Sequence, residues 1–525
     1  MNVDWLNLHP GTVTHPGMWD DTFLRELLAG RHGPVPETGR VVVVPGRYHT
    51  ADVDQINQTL RHSPTLTIIT ADEASELPAD LLHPDTPVWC QTLRPGAYQR
   101  GVTPFPLGYP PDTRELISQQ GFPPPDKDIW WWFSGQITHE RRRQAADALQ
   151  GLPGGEFHST EGFTLGLPRP AYLERMNRAR IIPCPSGPET QDTFRLWEAL
   201  AAGAIPLADA ATPSRNDGYW QALCPDAPFP IVEDWGKVRP LIEELAAGWP
   251  HTGNRVAAWW SRYRRQWAKR LTDTLVDLGS PPLDDAESKV TCVVPTSPIP
   301  SHPDTRFIEQ TVESIRDQWP QVDIRIMVDG VRPEQWHQTG DYQEYTRRVL
   351  WLAEHQWWNV TVTVHDAHMH QAAMMAHELE TISTPLILFV EHDTPLMGEW
   401  PRDQLVEAAL LPEVDLLRLN HEHQIHPEHR HLLADDQTYT LAGLPAVKTR
   451  QWSQRPHLAK TARYREWLND WFKPTERTMI EDRMHSVAQR FSWGRHRIWL
   501  YTPDGNQQRS WHSDARERDI KWPNN

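Results

Sequence analysis

Three short clusters carry residue types at spacings that suit chemistry. Glu391-His392-Asp393 sets two acids one residue apart, directly after the apolar run Pro385-Leu386-Ile387-Leu388-Phe389-Val390, which reads as a buried strand. Acids so placed at a strand end offer oxygen ligands to a hard cation such as Mg²⁺ or Mn²⁺. They leave coordination positions open for phosphate oxygens, as neutralising a departing diphosphate requires. Glu481-Asp482 is the second cluster: apolar Met479, Ile480 and Met484 predict a helix start there, with both acids near its N-terminus, where negative charge is stabilised. A carboxylate held there can take a proton from an acceptor hydroxyl. Arg195 and Glu198 form the third, three apart and so on one face of a predicted helix, after a Ser186-Gly187 turn that can aim backbone N–H groups at phosphate. Singly, each has an ordinary explanation as a turn, an acidic first turn or a surface ion pair.

Elements must position these clusters. Val290-Thr291-Cys292-Val293-Val294-Pro295-Thr296-Ser297 reads as a strand, Phe307 to Ile315 as a helix, and Ile324-Arg325-Ile326-Met327-Val328-Asp329-Gly330 as a strand ending in Asp-Gly. That is the start of a βαβ unit whose loops face one sheet edge. Upstream, Val41 to Val44, Leu66 to Ile69 and Ile129 to Phe133 read as buried strands, while Arg141 to Leu149 and Phe194 to Ala202 have helical spacing. The alternation predicts α/β layers with parallel sheets. A Pro-, Gly- and Asp-rich stretch from Asp277 to Asp285 separates two halves, and the Pro-rich segment Pro104 to Pro125 separates two lobes of the first half, with a ligand cleft between them. The expected organisation is lobes at 1–125, placed by position on an acceptor side, and 126–280, a linker at 281–288 and a final domain at 289–525.

Composition narrows the function classes. A chain of 525 residues has room for roughly two to four domains. The formal net charge of −17 argues against a nonspecific nucleic-acid clamp and leaves only a local basic groove for such a partner. Cys90, Cys184, Cys224 and Cys292 are widely spaced with no C-x-x-C, which suggests neither a disulfide framework nor a zinc site and fits a reducing, cytoplasmic setting. Met1-Asn2-Val3-Asp4-Trp5 lacks a basic region followed by an apolar core, and no apolar stretch approaches spanning length, so a soluble protein is expected. The 26 Trp residues can stack on sugar faces as well as fill cores, and most are expected to pack.

On these residues the second half resembles the GT-A glycosyltransferase superfamily, especially its inverting, family-two-like members. The resemblance implies that Pro295 and Thr296 contact the nucleotide and that Asp329 reads base or ribose. Glu391-His392-Asp393 corresponds to the D-x-D element, with Asp393 on a Mg²⁺ or Mn²⁺ ion and Glu391 on metal or ribose. Asp482 corresponds to the acid that deprotonates the acceptor, and His512, in Ser510-Trp511-His512, to a late histidine completing the metal site. The family pattern has Asp where this chain has Glu391. The second lobe of the first half resembles the exostosin-like GT-B glycosyltransferases through Phe133-Ser134-Gly135, Arg141-Arg142-Arg143, Pro183 to Gly187, and Thr193 to Pro206. That resemblance places Gly135, Arg141, Ser186, Arg195 and Glu198 around the donor, with Arg and helix ends neutralising the diphosphate without a metal.

Other constellations are less telling. His421, His423, His426, His429 and His431 crowd together at spacings of no standard structural zinc site, which suggests a solvated loop near an acceptor cleft. Arg450 to His457 mixes cations, an aromatic and amides able to meet a sugar or a phosphate-bearing acceptor, and Arg262 to Trp267 reads as a helix whose Arg stems pack. The combined expectation is an α/β, two-module, bifunctional glycosyltransferase, a GT-B-like pair of Rossmann-type lobes followed by a GT-A-like domain, acting from nucleotide-sugar donors onto a glycan, protein or modified nucleobase. One alternative is a phage-type enzyme acting on hydroxylated DNA bases. Another keeps one active module and makes the other a non-catalytic acceptor-binding domain.

Overall fold

The computed structural model describes residues 1–5, 21–45, 54, 58, 65–70, 86–92, 102–162, 165–420, 425–503 and 507–513. They group into two units, 1–283 with 350–357 and 284–349 with 358–525. His421 and His423 lie outside the described residues.

Two parallel five-stranded sheets build the first unit. In one, β1 (Asn2–Trp5), β2 (Arg40–Pro45), β3 (Leu66–Thr70), β4 (Val88–Cys90) and β5 (Thr103–Pro104) pair in chain order. The other comprises β6 (Ile129–Gly135), β7 (Gly155–Ser159), β8 (Ala179–Cys184), β9 (Ile205–Asp209) and β10 (Ile231–Val232), in the order β10-β9-β8-β6-β7. The apolar runs read as strands fall inside β2, β3 and β6, because a strand covered on both faces has no polar face to alternate with. In the second sheet the chain runs outward from β6 to β7 and then returns to β8 on the other side of β6. The carboxyl ends of β6 and β8 therefore flank a reversal of strand order, where open α/β sheets form a crevice.

Tryptophan fills this unit's core. Trp89, Trp197, Trp260 and Trp267 are buried among Phe105, Tyr109 and Tyr263, and the Trp89 and Trp267 rings meet edge to face at 5.1 Å. Each large ring so buried contributes on the order of 2–3 kcal/mol. Arg262 to Trp267 lies within the helix His251–Asp277, where Arg264 is buried with its guanidinium 5.3 Å from the Trp260 ring.

The second unit is built on one mixed nine-stranded sheet, β13-β12-β11-β14-β18-β15-β19-β17-β16. Its parallel part is β11 (Val290–Thr296), β12 (Asp323–Val328), β13 (Val360–Val364) and β14 (Leu386–Phe389). β15 (Leu416–Leu419), β16 (Leu433–Leu441), β17 (Leu444–Thr449), β18 (His457–Lys460) and β19 (Ile498–Tyr501) complete it, β18 running antiparallel to both β14 and β15. The runs read as strands at Val290, Ile324 and Pro385 are β11, β12 and β14, and the helix expected over Phe307 to Ile315 spans Arg306–Gln318. At four residues each, β15, β18 and β19 are too short to display a period, and only their pairing defines them. Because β18 is reversed, its amino end reaches the same sheet edge as the carboxyl ends of β11, β12, β14 and β15. Among the described residues no helix is long and apolar enough to cross a membrane.

Candidate active site

At that edge of the second unit lies a cavity of about 1210 Å³, lined among others by Pro295, Thr296, Asp329, Glu391, Asp393, Glu481 and His512. β11 and β12 pair Thr296 with Val328, so Thr296 and Asp329 emerge side by side. The Thr296 hydroxyl lies 2.8 Å from the Tyr345 hydroxyl, and its carbonyl accepts from Asp329 N at 3.0 Å. Asp329 is buried, and its carboxylate accepts from Gly330 N at 2.9 Å, Met369 N at 2.7 Å and His370 N at 3.0 Å, with His368 Nδ1 2.9 Å away. A ribose hydroxyl reaching Asp329 would share oxygens that already pin the 368–370 loop. Gly330 permits this closeness, since a Cβ there would stand 2.3 Å from the backbone of Ala367.

The acid turn follows β14. Thr311 Oγ1 donates to His392 O at 2.8 Å, while Ser513 N and Oγ donate to Asp393 O at 3.0 and 2.9 Å. These bonds lay residues 510–513 along the turn and bring His512 Nε2 to 3.5 Å from Asp393 Oδ2. The two acids are in different electrostatic states. Burial, then the neighbouring Asp393, pushes the Glu391 carboxyl up to about 8. Burial also opposes ionisation of Asp393, yet His392 and His512 hold its carboxyl well below the usual carboxylate range. Asp393 is thus the acid that stays ionised at neutral pH.

Asp393 and His512 suit a divalent cation. Two ligands at ~2.1 Å from one octahedral ion stand about 3 Å apart, near the observed separation. Among the described residues no group of three or more His, Cys, Asp or Glu side chains is placed to hold a metal by itself. Mg²⁺-type sites commonly combine one or two protein ligands with substrate phosphates and water.

The helix start read at Met479 to Met484 is observed as Ile480–Arg490, with Glu481 and Asp482 in its first turn. Glu481 lines the cavity; Asp482 is exposed and is not among the lining residues. One buried amide ties this helix to the acid turn: Gln371 Oε1 accepts from Ile480 N at 3.1 Å and from Gln454 Nε2, and Gln371 Nε2 donates to Glu391 Oε1 at 3.4 Å. Gln454 N in turn donates to Glu481 Oε2 at 3.0 Å. The Arg450 to His457 stretch supplies Gln451, Ser453, Gln454 and Arg455 to the wall, and His426 and His429 line it as well.

In the first unit the candidate residues gather at the carboxyl edge of the β6–β10 sheet. Gly135 ends β6, and a Cβ there would come within 2.4 Å of the Arg195 guanidinium, whose Nη2 donates to Ser134 O at 2.8 Å. Arg195 and Glu198 share the helix Phe194–Ala201 but do not pair with each other. Glu198 is buried, accepting from the Tyr172 hydroxyl at 2.9 Å and from Arg169 Nη1. All three Arg141 guanidinium nitrogens donate inside the unit: Nε and Nη2 to buried Asp209, Nη1 to Glu233 O at 3.1 Å and Nη2 to Val232 O at 3.2 Å. Ser186 N donates to Asp209 Oδ2 at 3.0 Å. Ser186 Oγ, Thr193 Oγ1 and Arg195 Nε are buried there without a partner.

Several of these residues escaped sequence reading. Asp209 had a usable signal, an acid closing the apolar strand Ile205–Asp209. Arg418, which also lines the cavity, had another, a lone charge inside Leu416-Leu417-Arg418-Leu419. Gln371 had none, because an amide on a helix carries no pattern that separates it from a surface residue.

No family model and no curated protein matches the chain. Among solved structures it is similar to a mannosyltransferase from Pyrobaculum calidifontis in complex with GDP-Man and Mn²⁺, at 16% identity and TM-score 0.27, covering 48% of this chain and 64% of that one. It is similar also to S. aureus TarS in complex with UDP-GlcNAc, at 15% identity and TM-score 0.26, over 42% of this chain and 57% of that one. A third is GalNAc-T7 with UDP, GalNAc and Mn²⁺, at 9% identity and TM-score 0.26, over 42% and 45%. The chain spans less than two thirds of the length of each, and likeness this weak carries no assignment of function.

Proposed function

We propose that the second unit is a metal-dependent glycosyltransferase acting on a nucleotide-sugar donor. One observation carries the reading: the Asp393–His512 pair, Glu481 at the start of the helix Ile480–Arg490, and Pro295, Thr296 and Asp329 all line the same cavity. A cation on Asp393 and His512 would supply positive charge beside the donor's diphosphate. The chain's own groups orient and deprotonate. Gln371 keeps Glu391 in register with the helix start, and a first-turn carboxylate draws the proton from the acceptor hydroxyl as it attacks, giving inversion by direct displacement.

The resemblance names Asp482 as that base, while Glu481 is the acid lining the cavity. Sugar transfer by Asp482→Asn and Glu481→Gln settles which. A base assignment to Asp482 expects its amide variant to lose at least ~100-fold in kcat, with donor KM nearly unchanged. Undiminished transfer by Asp482→Asn moves the role to Glu481, and undiminished transfer by both removes the mechanism.

In the first unit, residues 126–280 are proposed as the exostosin-like lobe, with residues 1–125 as its companion. A second reading is favoured by the engagement of Arg141 with Asp209 and of Glu198 with Arg169: this unit binds without catalysing. Arg195→Ala in the full chain separates the two. If the first unit transfers sugar, one of two transfer activities disappears. If it only binds, a single activity persists throughout.

A further inference from the structure

Two arginines, Arg418 and Arg455, line the same cavity. Arg418 lies on β15, two strands from β14 in the order β14-β18-β15, which at about 4.8 Å per strand puts its backbone roughly 10 Å from the strand that leads to Asp393. Its side chain lines the cavity although only 7% of the residue is exposed. Gln451 holds one nitrogen, with Nη1 donating to the backbone carbonyl at 3.2 Å and to Oε1 at 2.8 Å, but Nε is buried with no partner. Arg455, half-buried, lines the cavity too. Among the described residues no carboxylate forms an ion pair with either guanidinium, whereas the cavity's carboxylates Asp329 and Asp393 have His368 and His512 beside them.

A buried guanidinium with no carboxylate in ion-pair contact loses several kcal/mol of hydration, which an anion bound against it restores. Burial pulls the Arg418 guanidinium down to about 10; Glu481 opposes that fall and Arg455 adds to it, so the two cations are close enough to repel. An oxyanion between them would relieve the repulsion and fill the guanidinium's open donor positions.

We propose that Arg418 and Arg455 form an anion subsite of this cavity, which takes a phosphate or carboxylate group carried by the acceptor. The acceptor role rests on the transfer reading above; the anion site does not. The diphosphate of a donor belongs with Asp393 and His512, and the β15 side lies beyond them, away from Pro295, Thr296 and Asp329. Acceptors with a charged group near the reacting hydroxyl are thereby favoured over neutral sugars.

Inorganic phosphate is the probe, titrated calorimetrically into the full chain with and without saturating UDP or GDP plus Mn²⁺. The expected result is phosphate binding by the wild type that neither nucleotide displaces. Binding should weaken at least roughly tenfold in Arg418→Gln and in Arg455→Gln, and recover partly in Arg418→Lys. Arg455 is half-buried, so its variant supplies the answer should Arg418→Gln fail to fold. The proposal is overturned by a wild type that binds no phosphate, by unchanged binding in a folded Gln variant, or by stoichiometric displacement with nucleotide, which would make the anion the donor's own diphosphate. Nucleotide release from donor by the wild type tests the transfer reading separately, and its absence would leave the phosphate result standing.

Discussion

Gln371→Leu isolates the amide that links the acid turn to the helix carrying Glu481 and Asp482. The side chain is 7% exposed, and Leu occupies nearly its volume, so the change mainly removes hydrogen bonds. Ile480 N and the Gln454 amide lose their acceptor, and Glu391 loses its donor. Orphaning two buried donors costs roughly 1–3 kcal/mol each, and the newly buried apolar side chain offsets about 1–2 kcal/mol. A net loss of ~2–3 kcal/mol corresponds to faster local opening by a factor on the order of 30–150. Hydrogen exchange read by mass spectrometry localises it: peptides covering Ile480–Arg490 should lose that much protection, while peptides covering β11 change little. Transfer activity should fall with it, because the helix start no longer holds its register with Glu391. Protection within about threefold of wild type across Ile480–Arg490 would refute the claim that this amide anchors the site.

Further outcomes follow from the same geometry. Gly330→Ala should destabilise the second unit by about 2–4 kcal/mol, seen in peptides covering residues 365–375, because the new Cβ meets the Ala367 backbone and pushes the loop off Asp329; an unshifted exchange profile contradicts this. Asp209→Asn should loosen the carboxyl edge of the β6–β10 sheet, measured as faster exchange at Ser186 and Trp235, since it removes the charge opposing Arg141; unaltered exchange there would show the pair to be dispensable. Burial lifts the Asp192 carboxyl to about 6 from its ordinary 3.8, against the donors Trp197 Nε1 and Tyr219 OH. Between those values the unfolded chain binds fewer protons than the folded one, so stability relative to Asp192→Asn should fall by roughly 2 kcal/mol as pH rises from 4 to 7. A pH-independent difference between the two proteins contradicts this origin.

The sequence alone determined the parallel cores and the stations along them. Val290–Thr296, Asp323–Val328 and Leu386–Phe389 are buried on both faces, so their composition is strand-like without any help from neighbours. A polar residue that ends such a run must emerge at the sheet edge, which is why Asp329, Glu391 and Asp393 were legible as site candidates. The start of the helix Ile480–Arg490 was legible for a similar local reason, since the spacing of its apolar residues is a property of that segment alone.

What the tertiary structure decided is partnership. Pairing of β18 against β14 and β15 brings Arg418 and Arg455 to the edge where Asp393 emerges, and bonds from residues 510–513 to the acid turn put His512 beside it. Folding likewise engaged Arg141 with Asp209 and Glu198 with Arg169, although their sequence spacing equally suited an open phosphate site. Local periodicity reports which face of an element is buried. Which charge meets which across more than a hundred residues depends on strand order and register, and those are properties of the assembled sheet.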